Sequence, residues 1–347
     1  LSGGNHFWAA KAKWKRQAKR MPPKILITPR TFARDDDSPL DILRQAGCEA
    51  IRNPHGRVLD EEQLAALIPG MTGLIVGLDP VSAEVLNKAD RLRVVSKYGV
   101  GTDNIDLAAA TRNGIIVVNA AGSNSSAVAE LAFGLMLAVA RHISVSDRCI
   151  RQGRWESHKG SELWGKTLGI IGTGRTGREL ALRARGFEMR LICCDAAPDS
   201  RWSRRLGATY RPLNQVLAEA DVVSLHIPLT AATRHIISSA ELARMQRHAI
   251  LINTARGELV DEQALLNALE QNRLAGAGLD VWESQPPVKS ALCKLDNTVL
   301  TSHIGAHTRE ATAAMGELAA RNLVSALGGE LPESTVNPEV GAVLKTR

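Results

Sequence analysis

The 347-residue sequence lacks any apolar run long enough to cross a membrane. The longest, Ala127 to Ala140, is interrupted by Glu130 and falls short of the roughly 20 residues a spanning helix needs. It reads instead as a helix buried on most sides. No hydrophobic stretch of the secretory-signal kind precedes the folded body, so a reducing cytoplasm is the expected compartment. Cysteine is sparse and scattered, at Cys48, Cys149, Cys193, Cys194 and Cys293. None falls at metal-ligand spacing, and no metal is expected. Adjacent Cys193 and Cys194 would face opposite sides of a strand. The chain also lacks internal repeats, low-complexity segments and flexible linkers.

Acid is missing from residues 1–24, which carry Lys11, Lys13, Lys15, Arg16, Lys19, Arg20 and Lys24. The formal net charge of the whole chain is +7, so setting those seven bases aside leaves a neutral body. The basicity belongs to the tail, and neither a nucleic-acid nor a membrane partner is expected. Residues 1–23 read as an upstream or expression-derived segment with Met21 as the natural start. The other reading, a basic amphipathic targeting helix, is weakened by how few apolar positions the tail has.

What is present is an alternation of short β-rich runs with helical stretches. Strands are expected at 24–28, 73–77, 92–95, 115–118, 167–171, 190–194, 221–225, 249–253, 275–280 and 298–300. Most are near-continuous Val/Ile/Leu runs, such as Gly114-Ile115-Ile116-Val117-Val118. Strands covered on both faces in a parallel sheet have this composition. Helices fit between them, including 261–273 with Asp261 as N-cap and Gly276 past its end. The fold class is α/β, with two doubly wound parallel-sheet domains separated by a long helix at 124–142. A further helix is expected from Thr308 to about Leu327.

The strand Thr167-Leu168-Gly169-Ile170-Ile171 runs directly into Gly172-Thr173-Gly174-Arg175-Thr176-Gly177 and then a helical stretch. This is the setting a dinucleotide-binding turn requires. Gly172 allows the tight turn, Gly174 lets a pyrophosphate approach the backbone, and Gly177 permits close helix–strand packing. Free N–H groups at the helix start would face the phosphates. The next strand ends in Asp195, eighteen residues after Gly177. A carboxylate there would accept the ribose hydroxyls and repel a 2′-phosphate, so NAD is the expected cofactor. Asp195 as a simple strand-end turn residue is the plainer alternative.

Downstream, three strands end in polar segments: Asn253-Thr254-Ala255-Arg256-Gly257, Asp280-Val281-Trp282-Glu283-Ser284-Gln285-Pro286-Pro287, and Thr301-Ser302-His303-Ile304-Gly305-Ala306. With these, and with Tyr98-Gly99-Val100-Gly101-Thr102-Asp103, Asn119-Ala120-Ala121-Gly122 and His226-Ile227-Pro228-Leu229-Thr230, the chain resembles the D-isomer-specific 2-hydroxyacid dehydrogenases. Within them it is most similar to phosphoglycerate dehydrogenases of the short form without a regulatory domain. The resemblance spans about 24–328 and implies an NAD-dependent oxidoreductase that interconverts a D-2-hydroxy acid and its 2-keto acid.

By that resemblance Arg256 would grip the substrate carboxylate with its planar fork. His303 would be the general acid/base, a role suited to an ordinary pKa near 6.5. Backbone at Val100 and Gly101 would bind carboxylate oxygens, and Lys97 would attract a phosphate or second carboxylate, or else be a solvated rim lysine. Gly172, Gly174, Arg175, Thr176, Gly177, Asp195, His226, Ile227, Pro228, Thr254, Ala255, Arg256, Asp280, His303 and Gly305 would line the cofactor. The implied domains are 24–120 with 307–347 for substrate and 121–306 for NAD. A homodimer is implied, with 124–165, including Trp155 and Trp164, exchanging contacts. His303 and His307 stand four apart, but Gly305 argues against a helix, so no metal pair is expected.

One position departs from the family pattern. Five residues after Asp280 the family places a glutamate that pairs with the catalytic histidine, and this chain has Gln285. A carboxylate beside imidazole stabilises the imidazolium, whereas an amide orients the ring without a full charge. The difference is worth roughly one to three pKa units. Three readings follow. The first is a 2-hydroxyacid dehydrogenase with a shifted pH optimum. The second is a formate- or phosphite-type dehydrogenase needing little acid/base help, since formate dehydrogenases of the superfamily pair glutamine with histidine. The third is an NAD-sensing, corepressor-like binding protein.

Overall fold

The computed structural model describes residues 22–287 and 289–346. The basic tail therefore lies, apart from Pro22 and Pro23, outside the described residues. Contacts divide the chain into two units. One comprises the residues up to Asn124 with those from Thr308 onward, and the other is Ser125–His307. The sequence alone suggested divisions at 120/121 and 306/307.

The first unit holds β1 (Lys24–Ile27), β2 (Glu49–Arg52), β3 (Gly73–Val76), β4 (Val94–Lys97) and β5 (Ile116–Asn119). All pairings are parallel, in the order β2-β1-β3-β4-β5. Apolar side chains pack on both faces: Leu26, Leu74, Val76, Val95 and Val117 on one, Ile25, Ile27, Ile75, Val94 and Val118 on the other. The second face is closed by the helix Arg309–Leu327, expected from Thr308 onward and capped by that residue.

The second unit holds β6 (Thr167–Ile171), β7 (Arg190–Cys194), β8 (Thr209–Tyr210), β9 (Val222–Leu225), β10 (Ile250–Asn253), β11 (Gly276–Leu279) and β12 (Thr298–Leu300). Its order is β12-β11-β10-β9-β6-β7-β8, again all parallel. The chain runs outward from β6 through β7 to β8, then returns to the other side of β6 at β9. That reversal makes the carboxyl ends of β6 and β9 a topological switch point, where ligands of open α/β sheets bind. The helix Ser125–Ala140 packs on the sheet, with Leu135 against Gly278. No single helix among the described residues is long and apolar enough to cross a membrane. Cys193 packs in one face of the second sheet and Cys194 against the other.

Two strands escaped the sequence reading. β2 (Glu-Ala-Ile-Arg) and β8 (Thr-Tyr) are edge strands that lack the buried apolar run of a central strand. β4 lies at Val94–Lys97 rather than 92–95, because two polar residues are buried in it. Ser96 Oγ donates to the Ala319 carbonyl at 2.9 Å, which supplies the partner its burial demands. The helix expected at 261–273 ends at Glu270. Asp261 caps it by accepting from Ala264 N at 2.9 Å, but the left-handed residue past its end is Asn272 (φ 50°). Gly276 instead opens β11, where a Cβ would press within 2.7 Å of the Asn297 carbonyl.

Fully buried Asn337 fastens the chain end to the first sheet. Its Oδ1 accepts from Val117 N (2.8 Å), and its Nδ2 donates to Ile115 O (3.0 Å) and Thr111 Oγ1 (2.9 Å). Truncation leaves a buried N–H and a buried carbonyl unpaired, at about 1–3 kcal/mol. Asn337→Ala is expected to lower the midpoint of thermal unfolding measured by circular dichroism. An unchanged midpoint would show that water replaces these bonds.

Candidate functional site

The glycine turn sits at the switch point. Gly172 follows β6 with φ 97°, its N–H donating to Cys194 O at 2.8 Å, while His226 N donates to Ile171 O at 2.7 Å. A Cβ on Gly172 would lie 2.5 Å from the His226 carbonyl, and one on Gly177 2.0 Å from Gly172 O. Both positions exclude a side chain for internal reasons. Gly174 differs, because a Cβ there meets nothing within 4 Å. Gly174 is the N-cap of the helix Arg175–Arg185 and offers no side chain to that helix's first N–H groups. The helix begins at Arg175, and with Gly174 and Arg175 exposed and Thr176 half-buried its first donors lie near the surface.

Asp195 follows β7 as expected and is tied to this turn. Its Oδ2 accepts from Thr173 N (2.6 Å) and Thr173 Oγ1 (2.9 Å), and its Oδ1 from Ala197 N (2.8 Å). Burial pushes its carboxyl up, but the hydrogen bonds from Ala197 and Thr173, with the Arg178 guanidinium nearby, outweigh this and hold it below the ordinary range. Asp195 is therefore ionised near neutral pH, as a ribose acceptor must be. Sequence reasoning missed its supports. Thr173 Oγ1 also meets Tyr210 Oη at 2.8 Å, and Arg178 donates to Thr173 O at 2.8 Å and pairs with Asp199 at 2.9 Å. A signal for Arg178 existed: a base in the first turn of a helix opposes the helix dipole and calls for an acid nearby.

The ends of β9 and β10 follow along the same edge of the sheet. His226 Nε2 is hydrogen-bonded to buried Ser224 Oγ at 2.8 Å, and burial pushes its pKa down to about 4, so the ring is neutral at physiological pH. Ile227 is half-buried and Pro228 exposed beside it. Buried Asn253 shapes the next turn, accepting from Ala255 N at 3.1 Å and donating to Arg256 O at 2.7 Å. Thr254 is 8% exposed, and its Oγ1 has no hydrogen-bond partner among the described residues. A buried, unsatisfied hydroxyl is rare in a folded chain and fits a bound polar group. Together with the cradle at Gly174, it makes these residues suited to a dinucleotide.

Half-buried Arg256 follows, its Nη1 donating to Ala255 O at 2.7 Å. Gly257 lets this turn approach the one after β11, since a Cβ would fall 1.9 Å from the Trp282 carbonyl carbon.

Asp280 is 1% exposed, and its carboxylate is directed at the protein. It accepts from Thr301 Oγ1 (2.6 Å), Ile304 N (2.8 Å) and Gly305 N (2.8 Å), while His303 N donates to its carbonyl at 2.9 Å. In the structure it is a positioning residue for the 301–305 loop. The loop holds His303 at φ 57°, a left-handed conformation uncommon outside glycine. His303 Nδ1 lies 2.9 Å from Gln285 Oε1. An amide oxygen only accepts, so Nδ1 carries the proton and the neutral ring has its lone pair on Nε2. Gln285 is followed by a cis peptide bond to Pro286. The segment from His303 to His307 is not helical.

In the first unit, Lys97 is 5% exposed, which rules out a solvated rim lysine. Its Nζ donates to Gly77 O (2.5 Å) and Asn104 Oδ1 (2.6 Å). Val100 is 40% exposed and Gly101 half-buried. Val100 O accepts from Asn119 Nδ2 at 2.8 Å, and no hydrogen bond among the described residues uses the Val100 or Gly101 N–H.

Comparison with known proteins extends these observations. Residues 133–305 match the family described as D-isomer specific 2-hydroxyacid dehydrogenase, NAD binding domain. A glyoxylate reductase of Pyrococcus furiosus is 44% identical over 299 residues, 83% of this chain and 89% of that one. A D-3-phosphoglycerate dehydrogenase of Methanocaldococcus jannaschii is 43% identical over 80% of this chain but only 54% of its own length. The crystal structure of a D-lactate dehydrogenase from Aquifex aeolicus, complexed with NAD and lactic acid, has a TM-score of 0.80 at 26% identity, covering 90% of this chain and 99% of that one.

The cradle separates two glycine substitutions. Gly177→Ala is expected to destabilise the unit, because its Cβ collides with backbone. Gly174→Ala should unfold like the parent yet bind NADH about tenfold more weakly, a loss of roughly 1.4 kcal/mol. Fluorescence titration with NADH and thermal melts of both variants test this. Equal NADH affinity in Gly174→Ala and the parent would exclude the cradle.

Proposed function

The chain belongs to the family of D-isomer-specific 2-hydroxyacid dehydrogenases, and on that premise we propose that it reduces a small, unphosphorylated 2-keto acid of the glyoxylate or hydroxypyruvate class. It is an NAD-dependent oxidoreductase. The observation that carries the substrate reading is Lys97. Two of its three donors are given to Gly77 and Asn104, which leaves at most one for a substrate phosphate. The name of the Pyrococcus furiosus relative supports the same reading.

Gly174, Asp195 and Thr254 would hold NADH, which when bound would supply the hydride. Arg256 binds the keto acid through its carboxylate, bidentately, as a planar guanidinium suits. His303 in its imidazolium form delivers the proton to the nascent hydroxyl, and in the reverse direction the neutral ring takes it. Gln285 fixes the ring by its acceptor oxygen and supplies no full charge to the imidazolium. The protonated fraction of His303 therefore falls away at lower pH than it would beside a carboxylate.

We also infer a homodimer in the cytoplasm. Its interface would lie on the segment 124–165, where Trp155 is 91% exposed, Trp164 61%, and Ile143 and Ile150 more than half. Exposed apolar groups this concentrated mark interaction surfaces.

The 2.9 Å Gln285–His303 pair favours one second reading, hydride abstraction from formate or phosphite with NAD, in which histidine moves no proton. A panel of glyoxylate, hydroxypyruvate, pyruvate, 2-ketoglutarate and 3-phosphohydroxypyruvate with NADH, and formate and phosphite with NAD, decides between them. The highest kcat/KM is expected with glyoxylate or hydroxypyruvate. A preference for the phosphorylated acid would overturn the substrate reading, and tight NADH binding with no turnover at all would indicate a sensor. Gln285→Glu is expected to raise the alkaline limb of the reductive kcat/KM profile, and the acidic limb of the oxidative one, by roughly one to three pH units. Profiles that superimpose would sink the assigned role of His303.

A further inference from the structure

We propose that Cys149, Glu156 and His158 form a binding site for one zinc ion, made of none of the residues of the dinucleotide site. Cys149 lies near the end of the helix Ile143–Arg151 and is 2% exposed, whereas Glu156 and His158 are exposed. The helix stops at Gln152, Gly153 turns the chain with φ 72°, and Arg154 N returns to bond Cys149 O at 2.9 Å. The returning chain carries Glu156 and His158 over the thiol.

Cys149 Sγ lies 3.6 Å from Glu156 Oε2 and 3.8 Å from His158 Nε2, and all three donor atoms fall within 4.8 Å of one another. Tetrahedral zinc with a Zn–S bond of about 2.3 Å and Zn–N or Zn–O bonds of about 2.0–2.1 Å sets neighbouring donors about 3.3–3.7 Å apart. Two edges of the observed triangle are within a few tenths of an ångström of those separations. The donor set of one sulfur, one nitrogen and one oxygen suits zinc and not magnesium or calcium, which take oxygen ligands.

An outer layer is in place. Arg154 Nη1 donates to Glu156 Oε1 at 2.5 Å and Nη2 to Gln152 Oε1 at 2.8 Å, which leaves Glu156 Oε2 turned toward the thiol. Thiolate and carboxylate together would neutralise the dication. Three protein ligands leave a fourth position open, on the segment inferred above to form the dimer interface. The Cys-x6-Glu-x-His spacing carries no Cys or His pair, so the cysteine pattern alone holds no metal signal.

The test uses chelator-treated full-length protein titrated with Co2+ as a coloured stand-in, then with Zn2+. Expected are one equivalent of Co2+ with a sulfur-to-cobalt charge-transfer band in the near ultraviolet, and its displacement by Zn2+. Cys149→Ser should abolish the band, and Cys293→Ser should leave it intact. Loss of an outer-layer partner alone costs about 10–100-fold in metal affinity, so Glu156→Gln and His158→Ala should weaken binding at least that much. These two surface variants keep the proposal testable if Cys149→Ser does not fold. Absence of saturable Co2+ binding below millimolar, or a band that survives in Cys149→Ser, would overturn the site. So would Co2+ affinity unchanged in both Glu156→Gln and His158→Ala.

Discussion

A parallel sheet ends every one of its strands on the same edge, and the second unit is organised by that constraint. Because β7 and β9 flank β6, the turn after β6 has room to open between two diverging connections. Gly172 and His226 occupy that opening, each held by its backbone N–H, which donates to the Cys194 carbonyl from Gly172 and to the Ile171 carbonyl from His226. Asp195, Thr254, Asp280 and the 301–305 loop then follow at the carboxyl ends of neighbouring strands. Parallel register delivers them there whatever their separation in sequence.

Within that edge, polar groups divide into those that build and those that are presented outward. Asp280, Asn253, Ser224 and Thr173 are buried and hydrogen-bonded to backbone or to side chains of the site. They hold Arg256, His226, Asp195 and His303. Such satisfied networks fix one arrangement, because breaking any bond strands a buried polar group. Thr254 Oγ1, which has no partner among the described residues, stands apart as a group built for something the chain does not itself supply.

The Gln285–His303 pair shows how a single atom class changes chemistry without changing geometry. At 2.9 Å the amide oxygen fixes the ring tautomer, as a carboxylate would. It withholds the charge that would keep the imidazolium populated at higher pH. The fold therefore holds the ring in one orientation without placing a full negative charge beside it.

Much of this was legible in the sequence because it depends on local order. Val/Ile/Leu runs mark buried strands, three glycines at fixed spacing after one of them mark a phosphate turn, and an acid at the next strand end marks the ribose acceptor. The ordered polar segments marked Arg256, His303 and the unusual Gln285 as candidates. Tertiary structure alone decided the rest, because it depends on which strands become neighbours. The edge strands β2 and β8 lack an apolar pattern of their own and exist by pairing with β1 and β7. Lys97 became an internal residue because Gly77 and Asn104, distant or unremarkable in sequence, converge on its ammonium. Asp280 reads as a cofactor residue from its motif, yet three donors from the following loop claim its carboxylate. Cys149 reads as an inert buried thiol until the chain turns at Gly153 and brings a carboxylate and an imidazole to it. Periodicity and motif spacing record what each segment can do, whereas the partners of a buried polar group are fixed only when the sheet order sets its neighbours.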